Sequence, residues 1–385
     1  MAEGGSLAYA QKGIQQSLEN HIKRFRHPKP KWGPSLTGYI ETMATPNHQA
    51  PLLVMTNQYA FQGQQYAPCV HKDYLGYITI SCVQDQVFHS ELNYNAIMNL
   101  SLITKYFPRG SQQYHALVDT LVTHALAEDI GTGDLTASLV PDTKSHATII
   151  SREKAVICGI DWVNACFTKV DANISIDWHI EEGQIAQAND LLCEINGHTR
   201  ALLSAERCAL NFLQTLSAVA TQTHQYVELV KGTKAQILDT RKTLPGLRLA
   251  QKYAVTVGGG INQRIALYDG ILIKENHIAA AGGIAAALQQ AFALDTTANI
   301  QIEVENLNEL NEAIAAGATS ILLDDFSLAD LSAAVAISNG KALLEASGNV
   351  NLNTVRQIAE TGVDRISIGA LTKNIQAIDL SMRIE

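Results

Sequence analysis

Between residues 239 and 276 the chain reads DTRKTLPGLRLAQKYAVTVGGGINQRIALYDGILIKEN, placing Arg241, Lys242, Arg248, Lys252, Arg264 and Lys274 around the triplet Gly258-Gly259-Gly260. Two short apolar runs, Ile237-Leu238 and Ile271-Leu272-Ile273, bracket the stretch, and each ends abruptly in polar residues. Buried parallel strands have this form, with chemistry at the carboxyl end. Guanidinium forks match carboxylates and phosphates, so Arg241, Lys242 and Arg264 are expected to hold carboxylates or a pyrophosphate. A solvated basic face would give the same composition, but such faces rarely set cations directly at strand ends.

Later apolar runs also end in reactive residues: Glu303 and Glu305, Asp324 and Asp325, Glu345 and Ser347, Ser367 and Gly369. Residues two apart on a strand share a face, so Glu303 and Glu305 are expected to point the same way. One use for them is a structural ion pair with a barrel lysine. The other is metal binding, with Glu303 and Asp324 as ligands, because Mg²⁺ takes one or two carboxylates and keeps several waters. Ser347-Gly348-Asn349 and Ser367-Ile368-Gly369 offer backbone N–H groups to a terminal phosphate, at the place where barrels commonly bind one. Cations, carboxylates and a phosphate cradle together suit transfer of a phosphoribosyl group.

The elements that must position these residues follow from periodicity. From Gln236 onward, strand-like runs at 236–239, 270–274, 300–305, 320–324, 342–345 and 365–368 alternate with helical patterns such as 284–294, 307–316 and 328–338. This alternation predicts a parallel β/α barrel. Ahead of it a long helix is expected over 199–230, carrying Arg207 among apolar neighbours, where an arginine usually needs a partner or ligand. Leu117, Val118, Leu121, Val122 and Leu126 fall on one face of another helix, ending near residues 129–131. Runs at 147–150, 156–158, 174–180 and 191–195, with a helix at 162–170, predict a small α+β domain. The fold class is therefore α/β: a small α+β N-terminal sandwich over 98–209, joined by a tail at 377–385, and an incomplete, TIM-like β/α barrel over 210–376. Residues 1–97 form an extension of unassigned role. It holds a basic, proline-punctuated turn at 23–31 and a strand at 74–83, and Met98 is a natural start for everything behind it.

The 385 residues carry a net charge of −9, which argues against a nucleic-acid partner, but the charge is uneven. Residues 200–274 hold ten Lys/Arg against four Asp/Glu, and residues 275–385 hold five against fourteen. A basic island in an acidic protein suits a small, highly anionic ligand. Six cysteines without CxxC spacing, no secretory signal and no long apolar run predict a reduced, cytoplasmic protein with no membrane partner.

The runs AERCALNFLQTLSAVAT, LDTRKTLPGLR, KYAVTVGGGINQR, LIKENHI, IEVENLNEL, ILLDDF, LLEASGNV and GVDRISIGALT resemble the quinolinate phosphoribosyltransferase family over about residues 110–385. The resemblance implies a homodimer that converts quinolinate and phosphoribosyl pyrophosphate, with Mg²⁺, to nicotinate mononucleotide, pyrophosphate and CO₂. It implies that Arg207 crosses the dimer interface to a quinolinate carboxylate in the partner's site. Thr240, Arg241, Lys242, Arg264 and Lys274 become the walls of the substrate site. Lys242, Glu303 and Asp324 become catalytic, with the two acids on the metal and ribose side. Ser347, Gly348, Asn349, Ser367, Ile368 and Gly369 become the 5′-phosphate cradle. Three positions depart from the family pattern: Gln263 replaces a histidine, Asp325 an asparagine, and Ser217-Ala218 a Ser-Gly pair. Two alternatives remain open, a phosphoribosyltransferase for another pyridine carboxylate and a non-catalytic quinolinate-binding protein.

Overall fold

The computed structural model describes residues 107–294 and 296–385 in full, together with the backbone of seven short strands between residues 39 and 93. The chain divides into two units, Met1–Met98 and Asn99–Glu385. In the first, antiparallel pairs join Tyr39–Met43 to Leu52–Thr56 and Tyr59–Phe61 to Gln64–Tyr66, and a meander links Pro68–Lys72, Tyr77–Cys82 and Glu91–Asn93. The strand expected at 74–83 is thus present as Tyr77–Cys82. The basic turn at 23–31 lies outside the described residues.

The second unit opens with α1 (Gln112–Ile130), capped by the Ser111 hydroxyl, which accepts from the Tyr114 backbone N–H at 3.1 Å. Its buried stripe is Tyr114, Val118, Val122 and Leu126, four-residue steps along one face. Next come β1 (Lys144–Ser151), β2 (Ala155–Val156), α2 (Ile160–Val170), β3 (Ser175–Trp178), β4 (Ile185–Ala186) and β5 (Leu191–His198). An antiparallel sheet runs β3-β5-β1-β12, its last member being the terminal strand β12 (Leu380–Ile384). Packed beneath is α3, a single helix over Thr199–Val230. The boundary expected at residues 209–210 falls inside this unbroken helix. Ser217, at one of the departures from the family pattern, is fully buried; its hydroxyl accepts from Cys158 N and donates to Cys158 O, tying α3 to the chain behind β2.

The barrel strands are β6 (Gln236–Leu238), β7 (Gly270–Ile273), β8 (Asn299–Val304), β9 (Ser320–Asp324), β10 (Leu343–Ser347) and β11 (Arg365–Ser367). They form one parallel sheet in the order β6-β11-β10-β9-β8-β7. Beyond β6, Ile261 makes a parallel bridge to Leu238. Among the described residues no strand joins that segment to β7, so the barrel is incomplete. Across the gap, Arg264 Nη1 donates to the Gly270 carbonyl at 2.9 Å. The intervening helices are α4 (Arg248–Val257), α5 (Glu275–Ala281), α6 (Ile284–Phe292), α7 (Leu307–Ala315), α8 (Leu328–Ser338), α9 (Val355–Glu360) and α10 (Ala370–Lys373).

Two expectations about strand ends change. Strand β10 continues to Ser347, so Glu345 lies within the strand, only 1% exposed, with its side chain among interior polar groups. Strand β8 stops at Val304, because Glu305 N donates to the Glu309 carboxylate and begins the turn into α7. Glu305 is exposed while Glu303 stays half-buried.

The glycine triplet is a packing device. A Cβ on Gly258 would lie 2.3 Å from the Ala220 carbonyl oxygen, so the end of α4 seats against α3 only without a side chain. Lys252, on the inner face of α4, is fully buried and ion-paired to the equally buried Asp239 after β6. The Asp239 carboxylate also accepts from Asn262 Nδ2 at 2.7 Å and Gln263 N at 2.9 Å. Burial pushes its pKa up to about 6, while the Lys252 ammonium and the other two donors pull it down. Removing one member of such a pair strands a charge in the core. At pH 8, Lys252→Met is therefore expected to lower stability by about 3–5 kcal/mol, measurable by urea denaturation. Lys252→Met combined with Asp239→Asn should lose clearly less.

Candidate active site

The barrel's carboxyl edge gathers the candidate residues. Arg241 is the third residue after β6, and the 241–243 turn is braced from α4: Arg248 Nε donates to Thr243 Oγ1 at 3.1 Å, and Arg248 Nη2 reaches the Arg241 carbonyl. Arg248 is thereby a strut for the turn. Arg264 leaves the bridged segment one residue after Gln263, whose backbone hangs on Asp239. Burial first, and then the neighbouring Arg241 cation, pull the Arg264 guanidinium below its ordinary pKa. Two cations are held at close quarters, and the Nε atoms of both arginines are buried with no hydrogen-bond partner among the described residues. Orphaned charged donors of this kind call for an anionic ligand.

Thr240, Lys242 and Gly369 adjoin where β6 and β11 run side by side. Lys242 N donates to Thr240 Oγ1 at 3.0 Å, and the Lys242 carbonyl accepts from Thr372 Oγ1 at 2.7 Å. A Cβ on Gly369 would stand 3.0 Å from Lys242 Cδ, so the lysine stem lies across that glycine while the residue as a whole stays exposed. Ile368 N donates to the Leu238 carbonyl at 2.9 Å, so this amide belongs to the sheet and does not face a phosphate. Ser367 is buried and its side chain bonds to Glu345. Of the second half of the expected cradle, Gly369 is the member left at the barrel mouth.

The other half is built around Gly348, whose φ of +98° and approach to Asp325, 2.9 Å from a would-be Cβ to the backbone nitrogen, both require glycine. Asp325 itself has φ 58°, and its N–H donates to the Ser347 carbonyl at 2.9 Å. Its carboxylate accepts from Asn349 Nδ2 at 3.0 Å. Asp325 thus fastens the β10 loop to the end of β9. Ser347 stands opposite Asp324 in the register of these two strands.

On the acid side, Glu303 Oε2 accepts from Lys274 Nζ at 2.7 Å. The ion pair expected as the structural use of Glu303 is therefore present, and its partner is Lys274, the cation read as a substrate wall. Asp324, half-buried at the end of β9, makes no side-chain hydrogen bond or ion pair with other described residues. A cleft of about 340 Å³ beside Glu303 is lined by Glu275, Glu303, Glu305, Glu309 and Glu312 together with apolar residues that include Ile278 and Ile284. The hydrogen bond to Glu275 raises the Glu305 pKa. One end of the barrel mouth is thus cationic and the other acidic.

Arg207 stays apart from this gathering. It is exposed on α3, so its apolar sequence neighbours lie on other faces of the helix, and it pairs with no other described residue of this chain. Sequence reasoning also missed Gln301 and set Glu345 at a strand end; the two meet in the barrel interior, Gln301 Nε2 donating to Glu345 Oε2 at 2.9 Å. Gln301 stands two residues before Glu303 on the same strand face, the spacing that could have drawn attention to it.

An incomplete parallel barrel with paired guanidiniums, a lysine and glycine at adjoining strand ends, and carboxylates opposite suits an enzyme that transfers a phosphoribosyl group. Residues 134–217 match the N-terminal domain of quinolinate phosphoribosyl transferase, and residues 219–383 its C-terminal domain. The chain is 38% identical to the probable nicotinate-nucleotide pyrophosphorylase [carboxylating] of Bacillus subtilis, over 70% of this chain and 94% of that one. It is 37% identical to the mitochondrial quinolinate phosphoribosyltransferase [decarboxylating] 2b of Nicotiana tabacum, over 68% of this chain and 80% of that one. The solved nicotinate-nucleotide pyrophosphorylase of Francisella tularensis superposes with a TM-score of 0.69 at 50% identity, covering 70% of this chain and 97% of the other. The chain belongs to the quinolinate phosphoribosyltransferase family, and it is a pentosyl-transferring enzyme of pyridine nucleotide biosynthesis.

Because the only hydrogen bond of the Arg264 guanidinium among the described residues is to the Gly270 carbonyl, its removal should affect ligand more than fold. Arg264→Met is expected to weaken pyridine-2,3-dicarboxylate binding at least about tenfold, the equivalent of roughly 1.5–3 kcal/mol for a charged hydrogen bond, with a small change in melting temperature. Titration calorimetry alongside a thermal melt checks both.

Proposed function

We propose that this enzyme joins quinolinate to phosphoribosyl pyrophosphate and releases nicotinate mononucleotide, pyrophosphate and CO₂. The observation that carries this reading is the close pair Arg241 and Arg264 with both buried Nε atoms unpartnered. A planar dicarboxylate supplies acceptors for two forks at once. With the ring held there, its nitrogen attacks C1 of the ribose, forming the C–N bond as the bond to pyrophosphate breaks. The ring nitrogen is then cationic, so the adjacent carboxylate leaves as CO₂, its electron pair remains on the ring carbon, and a proton is taken up there. No organic cofactor is needed for that step.

Lys242, lying across Gly369, is assigned to the phosphates of the second substrate. Gly348 and Asn349, held by Asp325, take the 5′-phosphate side. Glu303 and Asp324 are the acids that stabilise the electron-poor ribose in the transition state. They also fit Mg²⁺, since the unpartnered Asp324 carboxylate and the free Oε1 of Glu303 are the one or two protein oxygens such an ion takes. When bound, the ion neutralises charge on the departing pyrophosphate. Lys274, now held by Glu303, completes the basic wall. Arg207, exposed and unpaired, is assigned to the partner's site in a homodimer. The working compartment is the cytoplasm; among the described residues no helix is long and apolar enough to cross a membrane.

Production of nicotinate mononucleotide and CO₂ from the two substrates tests the reaction, and quinolinate binding without pyrophosphate release would leave a binding protein instead. Glu303→Gln is expected to lower kcat by about 10²-fold or more, the effect of losing one well-placed electrostatic stabiliser, with quinolinate binding nearly kept. A lowered melting temperature with near-normal kcat would return Glu303 to a purely structural role. For the interface, mixing inactive Arg207→Ala chains with inactive Lys242→Ala chains should restore part of the activity, because one hybrid site is intact. Properly mixed dimers that stay inactive would refute the assignment of Arg207.

A further inference from the structure

A file of polar side chains crosses the barrel interior from Glu345 to the substrate mouth. Glu345 on β10 is 1% exposed and Gln301 on β8 is 2% exposed. They sit on strands two apart, as members of one interior layer do. Gln301 Nε2 donates to Glu345 Oε2 at 2.9 Å, and Gln263 Nε2 donates to Gln301 Oε1 at 3.0 Å. The file has a direction. While Glu345 is ionised its oxygens only accept, so Gln301 turns its amide nitrogen towards β10 and its carbonyl towards Gln263; burial raises the Glu345 pKa, and the Gln301 donor opposes that rise. Gln263 must then answer with its own nitrogen, because a flipped amide would set two carbonyl oxygens against each other.

The backbone of Gln263 is fixed independently: its N–H donates to Asp239 at 2.9 Å, and its carbonyl accepts from Lys252 Nζ at 3.2 Å. Main chain and side chain are therefore both held one residue before Arg264. The second N–H of the Gln263 amide and its Oε1 are used by no other described residue. Glu345 Oε1 is buried without a hydrogen-bond partner, Ser367 bonds to the carboxyl beside Gln301, and the charged groups acting on it are Arg365 and Glu303. A buried carboxyl with no cation bonded to it does little for stability. Its service to Gln301 gives it a purpose.

We propose that Gln301 and Glu345 are positioning residues that preset the Gln263 side-chain amide as a neutral, oriented contact for the pyridine dicarboxylate beside Arg264. This deepens the reading given under Proposed function and rests on it for the identity of the ligand.

A double-mutant cycle tests it. Gln263→Met and Gln301→Met should each raise KM for quinolinate roughly tenfold, the size of one well-made hydrogen bond in a buried site, with kcat and KM for phosphoribosyl pyrophosphate within about twofold. The double variant should be no worse than Gln263→Met alone, because residues acting as one unit are not additive. Glu345→Gln keeps an acceptor for Gln301 and should behave like the parent enzyme, whereas Glu345→Leu should match Gln301→Met and provides the same test should that variant fold poorly. Multiplied effects near a hundredfold in the double variant, or an unchanged KM in both Gln301→Met and Glu345→Leu, would overturn the proposal.

A second readout does not depend on turnover. In ¹⁵N spectra the Gln263 side-chain amide should show one protected N–H that is lost in Gln301→Met; an amide exchanging freely in the parent enzyme overturns the relay. Parent enzyme that keeps the protected N–H but neither binds nor converts quinolinate overturns the ligand assignment, which separates that failure from the relay's.

Discussion

The fully buried pair of Asp239 and Lys252 is the constraint on which the site depends. One carboxylate ties together the end of the first barrel strand, the inner face of the helix after it, and the 261–263 segment that begins the barrel's open side. Arg241 lies two residues after Asp239 and Arg264 two residues after Asn262. Two guanidiniums placed near each other repel, and their separation must be imposed by something stiffer than themselves. A desolvated ion pair with further hydrogen bonds does this, because partial opening leaves a charge in the core. The glycine triplet serves the same end, letting the helix that bears Lys252 settle against the long helix beneath it.

The mouth is also divided by charge. Paired arginines stand on the open side of the barrel, carboxylates at the ends of the eighth and ninth strands, and the lysine and glycine after the sixth and eleventh strands adjoin each other. Two anionic substrates must share this edge, and fixed groups of opposite sign let each find a different part of it. The ion pair between Lys274 and Glu303 lies on the border, holding both groups in place with charges largely balanced.

Much of this was legible in the sequence because strand ends announce themselves: an apolar run that stops at a cation or carboxylate is a local signal. The helix over Thr199–Val230 and the strand Ser320–Asp324 have the expected bounds for the same reason, an unbroken period. What stayed hidden depends on partners far along the chain. Lys252 reads as one more cation of a basic stretch, and only the fold buries it against Asp239. Arg248 reads likewise, yet it braces the turn that carries Arg241. Glu345 looks like a strand-end acid because its strand runs two residues further than its apolar run, and Gln301 carries no charge to notice. Arg207 errs the other way, for apolar neighbours in sequence lie on other faces of a helix and leave it exposed.

The last strand of the chain, Leu380–Ile384, completes the edge of the small sheet by pairing with Lys144–Ser151. About 230 residues separate the two partners, and the entire barrel is encoded between them. At roughly 5–20 residues per second of ribosomal synthesis, the edge of the small sheet stays open for tens of seconds, its backbone groups available to any passing strand. Closure comes only once residues 380–384 have left the ribosome. Chains stalled or cut shortly before residue 380 would carry a finished barrel and an unsealed sheet, a form well suited to recognition by the machinery that removes incomplete proteins.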